Sequence, residues 1–363
     1  MPGRRDGAPY KGSKRFHWNV INVGIIAAVV VAGFATGTLL LTQKERAAGG
    51  NTPDTAQSPQ AASANMTGKP AAATDAAGGG TASPAASPEQ TPAPTPGEDS
   101  GYFTEGGVQV NGMTYRSADL YVNVKNVNED GVNYYVADCR MRDANKLFTA
   151  LANDKYALHK GEKTSVMAKR KGAVIAINGD YYGYRPDGIV LRNGTLYREA
   201  PYFDVAAVYG DGTMKTYAKD EKTADELKAE GALHVFSFGP MLLDGEGKAF
   251  LEADMKKREP KVNPRNPRSG IGYIEPNHFV LVVVDGRDAG GSRGMTQAEF
   301  SKLFESLGCK SAYNFNGGGT ATMVFMGKVI NHPCDEGGER SVSDIVYFGE
   351  SLVDRANIER MNK

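Results

Sequence analysis

Ile271-Gly272-Tyr273-Ile274-Glu275-Pro276-Asn277-His278-Phe279-Val280-Leu281-Val282-Val283-Val284 is the stretch that decides the fold. Two apolar runs, Ile271–Ile274 and His278–Val284, flank Glu275-Pro276-Asn277, and such runs around a turn signal read as a hairpin. The pattern recurs outward from here. Ile189–Arg192 and Thr195–Arg198 flank Asn193-Gly194, the strongest short hairpin signal. Val205–Tyr209 and Thr213–Tyr217 flank Gly210-Asp211-Gly212. Met113–Lys125 and Val132–Met141 alternate apolar and polar residues around Asn128-Glu129-Asp130-Gly131. Ala173–Ile177, Leu233–Phe238 and Asp344–Phe348 read as further strands.

Helices are few. Lys163–Lys171 is one, with Thr164 or Ser165 as its cap, and Thr223–Glu230 is another. Thr296–Leu307 is the clearest: Thr296 and Glu299 make a capping box, Phe300, Leu303, Phe304 and Leu307 share a face, and Gly308 ends it. Hairpins with few helices predict an α+β domain on a mixed, largely antiparallel sheet over residues 102–352. There is no internal repeat, no GxxxxGK[ST] loop and no GxGxxG after a strand, which removes the common nucleotide folds.

The 363 residues hold 42 Lys+Arg and 42 Asp+Glu, and this zero balance gives no ground for a nucleic-acid partner. Charge is unevenly placed, however. Arg4, Arg5, Lys11, Lys14 and Arg15 crowd a basic segment at 1–19. Val20–Leu41 then has no charged residue, which is long enough for a bilayer-crossing helix. The expectation is an uncleaved anchor at 20–42 in the cell membrane, N-terminus cytoplasmic, the remainder outside. Residues 43–101 are rich in Ala, Pro, Thr, Ser and Gly and nearly devoid of large apolar side chains, so a disordered tether is expected there, and 353–363 forms a tail. Cys139, Cys309 and Cys334 make neither a disulfide framework nor a zinc spacing, and buried free thiols are expected.

Polar clusters adjoin the strands. Asn178-Gly179-Asp180-Tyr181-Tyr182 follows Ala173–Ile177. Pro267-Arg268-Ser269-Gly270-Ile271-Gly272 leads into the opening hairpin, and Asp285-Gly286-Arg287 leaves it, extended by Ser292-Arg293-Gly294-Met295. Asn314-Phe315-Asn316-Gly317-Gly318-Gly319-Thr320-Ala321-Thr322-Met323 lies between two apolar runs. Three glycines in a row cost backbone entropy, and their bare amides suit an anion or a tight hairpin turn. Glu339-Arg340-Ser341-Val342-Ser343-Asp344 precedes the last strand. Strand-end loops on a rigid sheet are favoured places for function.

In this order the clusters resemble the phosphodiester glycosidase family, some bacterial members of which are described as exopolysaccharide-biosynthesis-like proteins. The matching segments are Ala176–Tyr182, Pro267–Gly272, Asp285–Arg287 with Ser292–Thr296, Asn314–Met323 and Arg340–Asp344. The resemblance implies hydrolysis of a sugar–O–phosphate bond in a glycan or glycolipid. For that reaction Arg268, Arg287 and Arg340 suit the phosphate. Asn178, Gly179, Thr320, Ser341 and the amides of Gly317, Gly318 and Gly319 join them as binding candidates. Asp180 and Asp285 are candidates for base or oxocarbenium stabiliser, and Tyr181, Tyr182 and Tyr184 for stacking on a sugar. The family has Asp where this chain has Asn316. If that position does chemistry, a non-catalytic glycan-binding protein is the alternative; if it shapes the turn, Asn serves. The oxygen donors Asn178, Asp180, Asp285 and Asn316 admit a divalent cation, and no spacing requires one.

Overall fold

The computed structural model describes residues 101–200, 203–258 and 264–350. The basic segment, the anchor at 20–42, the linker up to residue 100 and the tail at 353–363 lie outside the described residues. Among the described residues no helix is long and apolar enough to cross a membrane.

A seven-stranded sheet forms the centre. Its members are β1 (Gln109–Asn111), β2 (Thr114–Arg116), β3 (Leu120–Glu129), β4 (Val132–Met141), β12 (Arg268–Glu275), β13 (His278–Val284) and β14 (Ser311–Asn314), in spatial order β1-β2-β3-β4-β13-β12-β14. The hairpin read first in the sequence is β12–β13, paired from Arg268↔Val284 to Glu275↔His278. A second sheet contains β5 (Leu147–Leu151), β6 (Ile175–Asn178), β15 (Met323–Phe325), β16 (Lys328–Val329) and β17 (Asp344–Phe348), ordered β16-β15-β6-β17-β5. The third has β7 (Val190–Arg192), β8 (Thr195–Arg198), β9 (Val205–Tyr209), β10 (Met214–Tyr217) and β11 (Ala232–Phe236), ordered β10-β9-β11-β7-β8. Every pairing among these strands is antiparallel, so the parallel component allowed by a mixed sheet is absent from the described residues.

Side-chain alternation explains the layering. All seven residues of β13 are buried. Phe279, Leu281 and Val283 join the main core, which the central sheet shares with both smaller sheets. Val280, Val282 and Val284 point the other way, into a second core closed by Ala298, Phe300 and Phe304 of α4 (Gln297–Ser306). A strand buried on both faces reads as a continuous apolar run, because the period of two then has no polar phase. Each fully buried side chain of this size contributes roughly 1.5–3 kcal/mol. The smaller sheets have helical covers: α1 (Thr164–Lys171) supplies Met167 and Ala168 to one, and α2 (Ala224–Ala229) supplies Ala224 and Leu227 to the other. The short α3 (Glu252–Arg258), which the sequence reading missed, adds Met255 to the second core.

Local signals and structure agree where the signal is local. Asn193 and Gly194 both take positive φ, 48° and 76°, as a two-residue hairpin turn requires. Both sides of the Thr296–Glu299 capping box form. Two expectations need correcting. Met113–Lys125 is not one strand: it breaks at Ser117–Asp119 into β2 and β3, with the Leu120 amide donating to Ser117 Oγ. The cap of α1 is neither Thr164 nor Ser165: Lys163 holds the N-cap position, and the orphan Ser165 amide is taken by the distant carboxylate of Glu339 at 2.9 Å. The cysteines are all free; Cys139 and Cys309 are buried and Cys334 half-buried.

Candidate active site

Six strand ends meet at one end of the sheet stack. In the central sheet, β13 ends at Val284, opposite Arg268 at the start of β12, and Gly270 pairs with Asn314 at the end of β14. In the second sheet, Asn178 at the end of β6 pairs with Ile345 of β17, and Ile177 pairs with Met323 at the start of β15. The glycine segment therefore links β14 in one sheet to β15 in another. It is a crossing between sheets, not the turn of a hairpin.

Asn178 clamps that crossing. It is fully buried; its Oδ1 accepts from the Thr322 amide at 3.1 Å and its Nδ2 donates to the Asn316 carbonyl at 2.5 Å. The Asn316 amide donates to the Gly179 carbonyl at 3.2 Å, and the Gly318 amide to Pro267 at 3.0 Å. Three of the sequence clusters are thus tied by backbone. Gly318 sits at φ 62°, the left-handed region that favours glycine. Its amide is committed, and the Thr320 hydroxyl is turned back onto the Gly317 carbonyl at 2.8 Å. Among the described residues, the Gly317 and Gly319 amides have no backbone partner. Among the described residues the Asn316 side-chain amide has no hydrogen-bond partner either, and the residue is half-buried.

Two exposed arginines lie directly on this bare backbone. A Cβ on Gly318 would come 2.9 Å from Arg287 Nη2, and one on Gly319 would come 2.9 Å from the Arg340 guanidinium and 2.8 Å from Asp335 Oδ1. Arg287 itself has φ 57°, and its Nε and Nη2 both donate to Asn266 Oδ1, at 3.1 and 3.0 Å. Arg340 forms a two-pronged pair with Asp335. That hydrogen bond, then the charges of Arg340 and Arg287, hold the Asp335 carboxyl below its ordinary range, and the same pair holds Arg340 above its own. Ser341 is exposed beside it, against Gly161 and close to the Tyr184 hydroxyl. Tyr184 stacks on Tyr181 at 5.1 Å, with Phe238 edge-on to Tyr181 and Arg185 over the Tyr181, Phe203 and Phe238 rings. Tyr181 is near enough to Arg340 to help raise it. We refer to this place, two exposed guanidinium groups over a glycine-rich crossing with aromatic rings beside Arg340, as the cup.

Other candidates lie beneath this cup. Asp180 is 2% exposed and belongs to a buried cluster with Arg192 and Asp344. Arg192 donates to Asp344 Oδ2 at 2.7 Å and to Asp180 Oδ2 at 3.2 Å; Asp180 also accepts from the Ser237 amide at 2.9 Å and its own amide donates to Asp344 Oδ1 at 2.7 Å. Burial pushes Asp344 up, whereas for Arg192 the two carboxylates outweigh burial and raise it. Gly179 is required at its position, since a Cβ would fall 2.6 Å from Asp344 Oδ1. Arg268 is buried too. Its Nε donates to the Met295 carbonyl at 2.9 Å and its Nη2 to Pro264 at 2.5 Å, and burial pushes it down to about 10. Tyr182 is buried and donates to the Ser343 carbonyl at 3.0 Å, so it packs and does not face the cup.

Asp285 is 1% exposed, saturated by Asn133, Asn331 and His332. Of these partners, and of Asp335, Arg192 and Asp344, the sequence reading assigned none a role. His332 lies 47 residues from Asp285, so no spacing marks the pair. Asp344 stood at the end of a cluster already singled out, and Arg192 beside an Asn-Gly turn; a charged residue in a strand that reads as buried was the available signal for both. Among the described residues, no three His, Cys, Asp or Glu side chains are grouped to hold a metal ion.

Residues 171–349 match the profile of the phosphodiester glycosidase family. This domain belongs to the phosphodiester glycosidase family. Two relatives place it further. An uncharacterized SPbeta prophage-derived protein, YomE, of Bacillus subtilis (strain 168) is 36% identical over 196 residues, which are 49% of this chain but only 28% of that protein. The chain thus spans under a third of that relative's length. The catalytic domain of zebrafish N-acetylglucosamine-1-phosphodiester alpha-N-acetylglucosaminidase, solved in a form auto-inhibited by its pro-peptide, has a TM-score of 0.53 at 18% identity, over 67% of this chain and 88% of that one. That likeness shows a shared fold. The phosphodiester glycosidase match covers every cluster of the cup.

Proposed function

We propose that this domain hydrolyses the bond between the anomeric carbon of a sugar and the oxygen of a phosphodiester. The observation that carries the reading is the meeting of Arg287 and Arg340 over the glycine floor. Guanidinium forks match phosphate oxygens in pairs, and bare amides add donors without steric cost. Phosphate held this way is stabilised as a leaving group, because negative charge grows on it as the C1–O bond breaks. The rings of Tyr181 and Tyr184 beside Arg340 suit the apolar face of a sugar. The substrate class we favour is a sugar-1-phosphodiester in a surface glycan, wall polymer or glycolipid. The sequence at 20–42 supports a single-pass anchor that holds the domain outside the cytoplasm.

One observation favours a second reading, a non-catalytic glycan-binding protein. Asn316 replaces the family's aspartate, is half-buried, and its side chain has no partner among the described residues. An amide neither accepts a proton at neutral pH nor stabilises a cation as a carboxylate does. Full-length protein in detergent, incubated with a nucleoside-diphosphate sugar, separates the two. Release of free sugar supports hydrolysis. Saturable binding without release, converted to turnover by Asn316→Asp, supports the second reading.

A further inference from the structure

We infer that His332 is the proton-transfer group of this site and that Asp285 is its positioning residue. The inference rests on the hydrolytic reading above and assigns chemistry within it. Asp285 cannot itself reach a substrate. Its Oδ1 accepts from Asn331 Nδ2 at 3.0 Å and the His332 amide at 2.9 Å, and its Oδ2 from Asn133 Nδ2 at 2.7 Å and His332 Nδ1 at 2.9 Å. Four donors fill the lone-pair sites of one carboxylate, which is also buried. Two further carboxylates near the cup are committed as well: Asp335 to Arg340, Asp180 to the buried cluster.

His332 differs from them. Its side chain is 56% exposed while its Nδ1 edge is held by the fully buried Asp285. A carboxylate accepting at Nδ1 selects the tautomer with hydrogen there, which leaves the Nε2 lone pair on the open side. The room for this ring is built in. A Cβ on Gly290, at φ 60°, would lie 2.6 Å from His332 Nδ1 and 3.1 Å from Asp285 Oδ2. The pair adjoins the cup along the chain: Asp285 leads through Gly286 into Arg287, and His332 precedes by three residues Asp335, the partner of Arg340.

The step balances without a cofactor. A water oxygen attacks C1 as the C1–O bond to phosphate breaks, and the electron pair goes to the phosphate oxygen. The water proton passes to Nε2, and Asp285 stabilises the imidazolium through Nδ1–H. Arg287 and Arg340 hold the departing phosphomonoester, and the imidazolium then releases its proton to solvent.

The test uses full-length protein in detergent and a sugar-1-phosphodiester. His332→Ala should lower kcat at least about 100-fold with KM changed by less than about 3-fold, and added imidazole should restore part of the rate. For Asp285, nitrogen NMR of the His332 ring reads position directly: wild type should show hydrogen on Nδ1, and Asp285→Asn should lose that preference together with kcat. His332→Ala turning over at the wild-type rate, or a wild-type ring with hydrogen on Nε2, overturns the assignment while hydrolysis stands. A wild-type protein with no turnover overturns the hydrolytic reading, and this assignment with it.

Discussion

The domain holds arginine and aspartate together in two places, and they serve opposite ends. In the buried cluster, Arg192, Asp180 and Asp344 have side chains 0%, 3% and 0% exposed and satisfy one another through forks, main-chain amides and main-chain carbonyls. In the cup, Arg340 and Asp335 are 51% and 29% exposed, and Arg287 bonds only to a neutral amide among the described residues. The same chemistry in water is replaceable; out of water it is not. Buried charge is retained only when fully paired, so the first cluster ties β7, β17 and the β6 end into one rigid unit. Exposed guanidinium over bare backbone leaves donors open to solvent.

Breaking the buried cluster should have the largest effect. Arg192→Ala leaves two carboxylates buried without their cation and should destabilise the domain by about 3–5 kcal/mol, read as a fall in urea midpoint. A loss under about 1 kcal/mol would mean that water enters the cluster, and the comparison would fail.

The next effect is on pH dependence. His234 is fully buried on β11, and burial first, then the charge of Arg192, push it down to about 3 from an ordinary 6.5. Between those values the unfolded chain takes up a proton that the folded one refuses, so stability present above about pH 6.5 is lost as pH falls toward 3. The loss is on the order of a few kcal/mol. His234→Gln should flatten that fall in urea midpoints between pH 7 and pH 4; an equal fall in both proteins would contradict it.

The smallest effect belongs to the cup's own carboxylate. Asp335→Asn should leave the unfolding midpoint unchanged, while freeing Arg340 and lowering KM for a phosphodiester by a few-fold. A marked loss of stability would place Asp335 with the buried cluster instead.

What the sequence disclosed follows from how far each cause reaches. Asn193-Gly194, the Thr296–Glu299 box and the all-apolar β13 depend on neighbours in the chain, and each was legible. The clusters at the strand ends were legible as clusters, and the geometry joins them through Asn178, Pro267 and the glycine crossing. Depth was not legible. Arg268 and Arg287 look alike in sequence, yet one is 3% exposed with its donors on main-chain carbonyls and the other stands in solvent. Nor were the long-range partners: Asp344 lies 152 residues from Arg192, and Asn133 lies 152 from Asp285. The assignment of β14 and β15 to different sheets was hidden for the same reason, since strand pairing is settled by partners remote in sequence.

The central claim is that Arg287 and Arg340, brought over the glycine floor, grip a phosphodiester. The most direct measurement compares sugar release from a sugar-1-phosphodiester by the full-length protein and by Arg287→Ala, Arg340→Ala and the double variant. The account predicts release by wild type, a loss of about 100-fold or more in kcat/KM in the double variant, and unfolding midpoints like that of wild type throughout. Release at the wild-type rate by a folded double variant would contradict it.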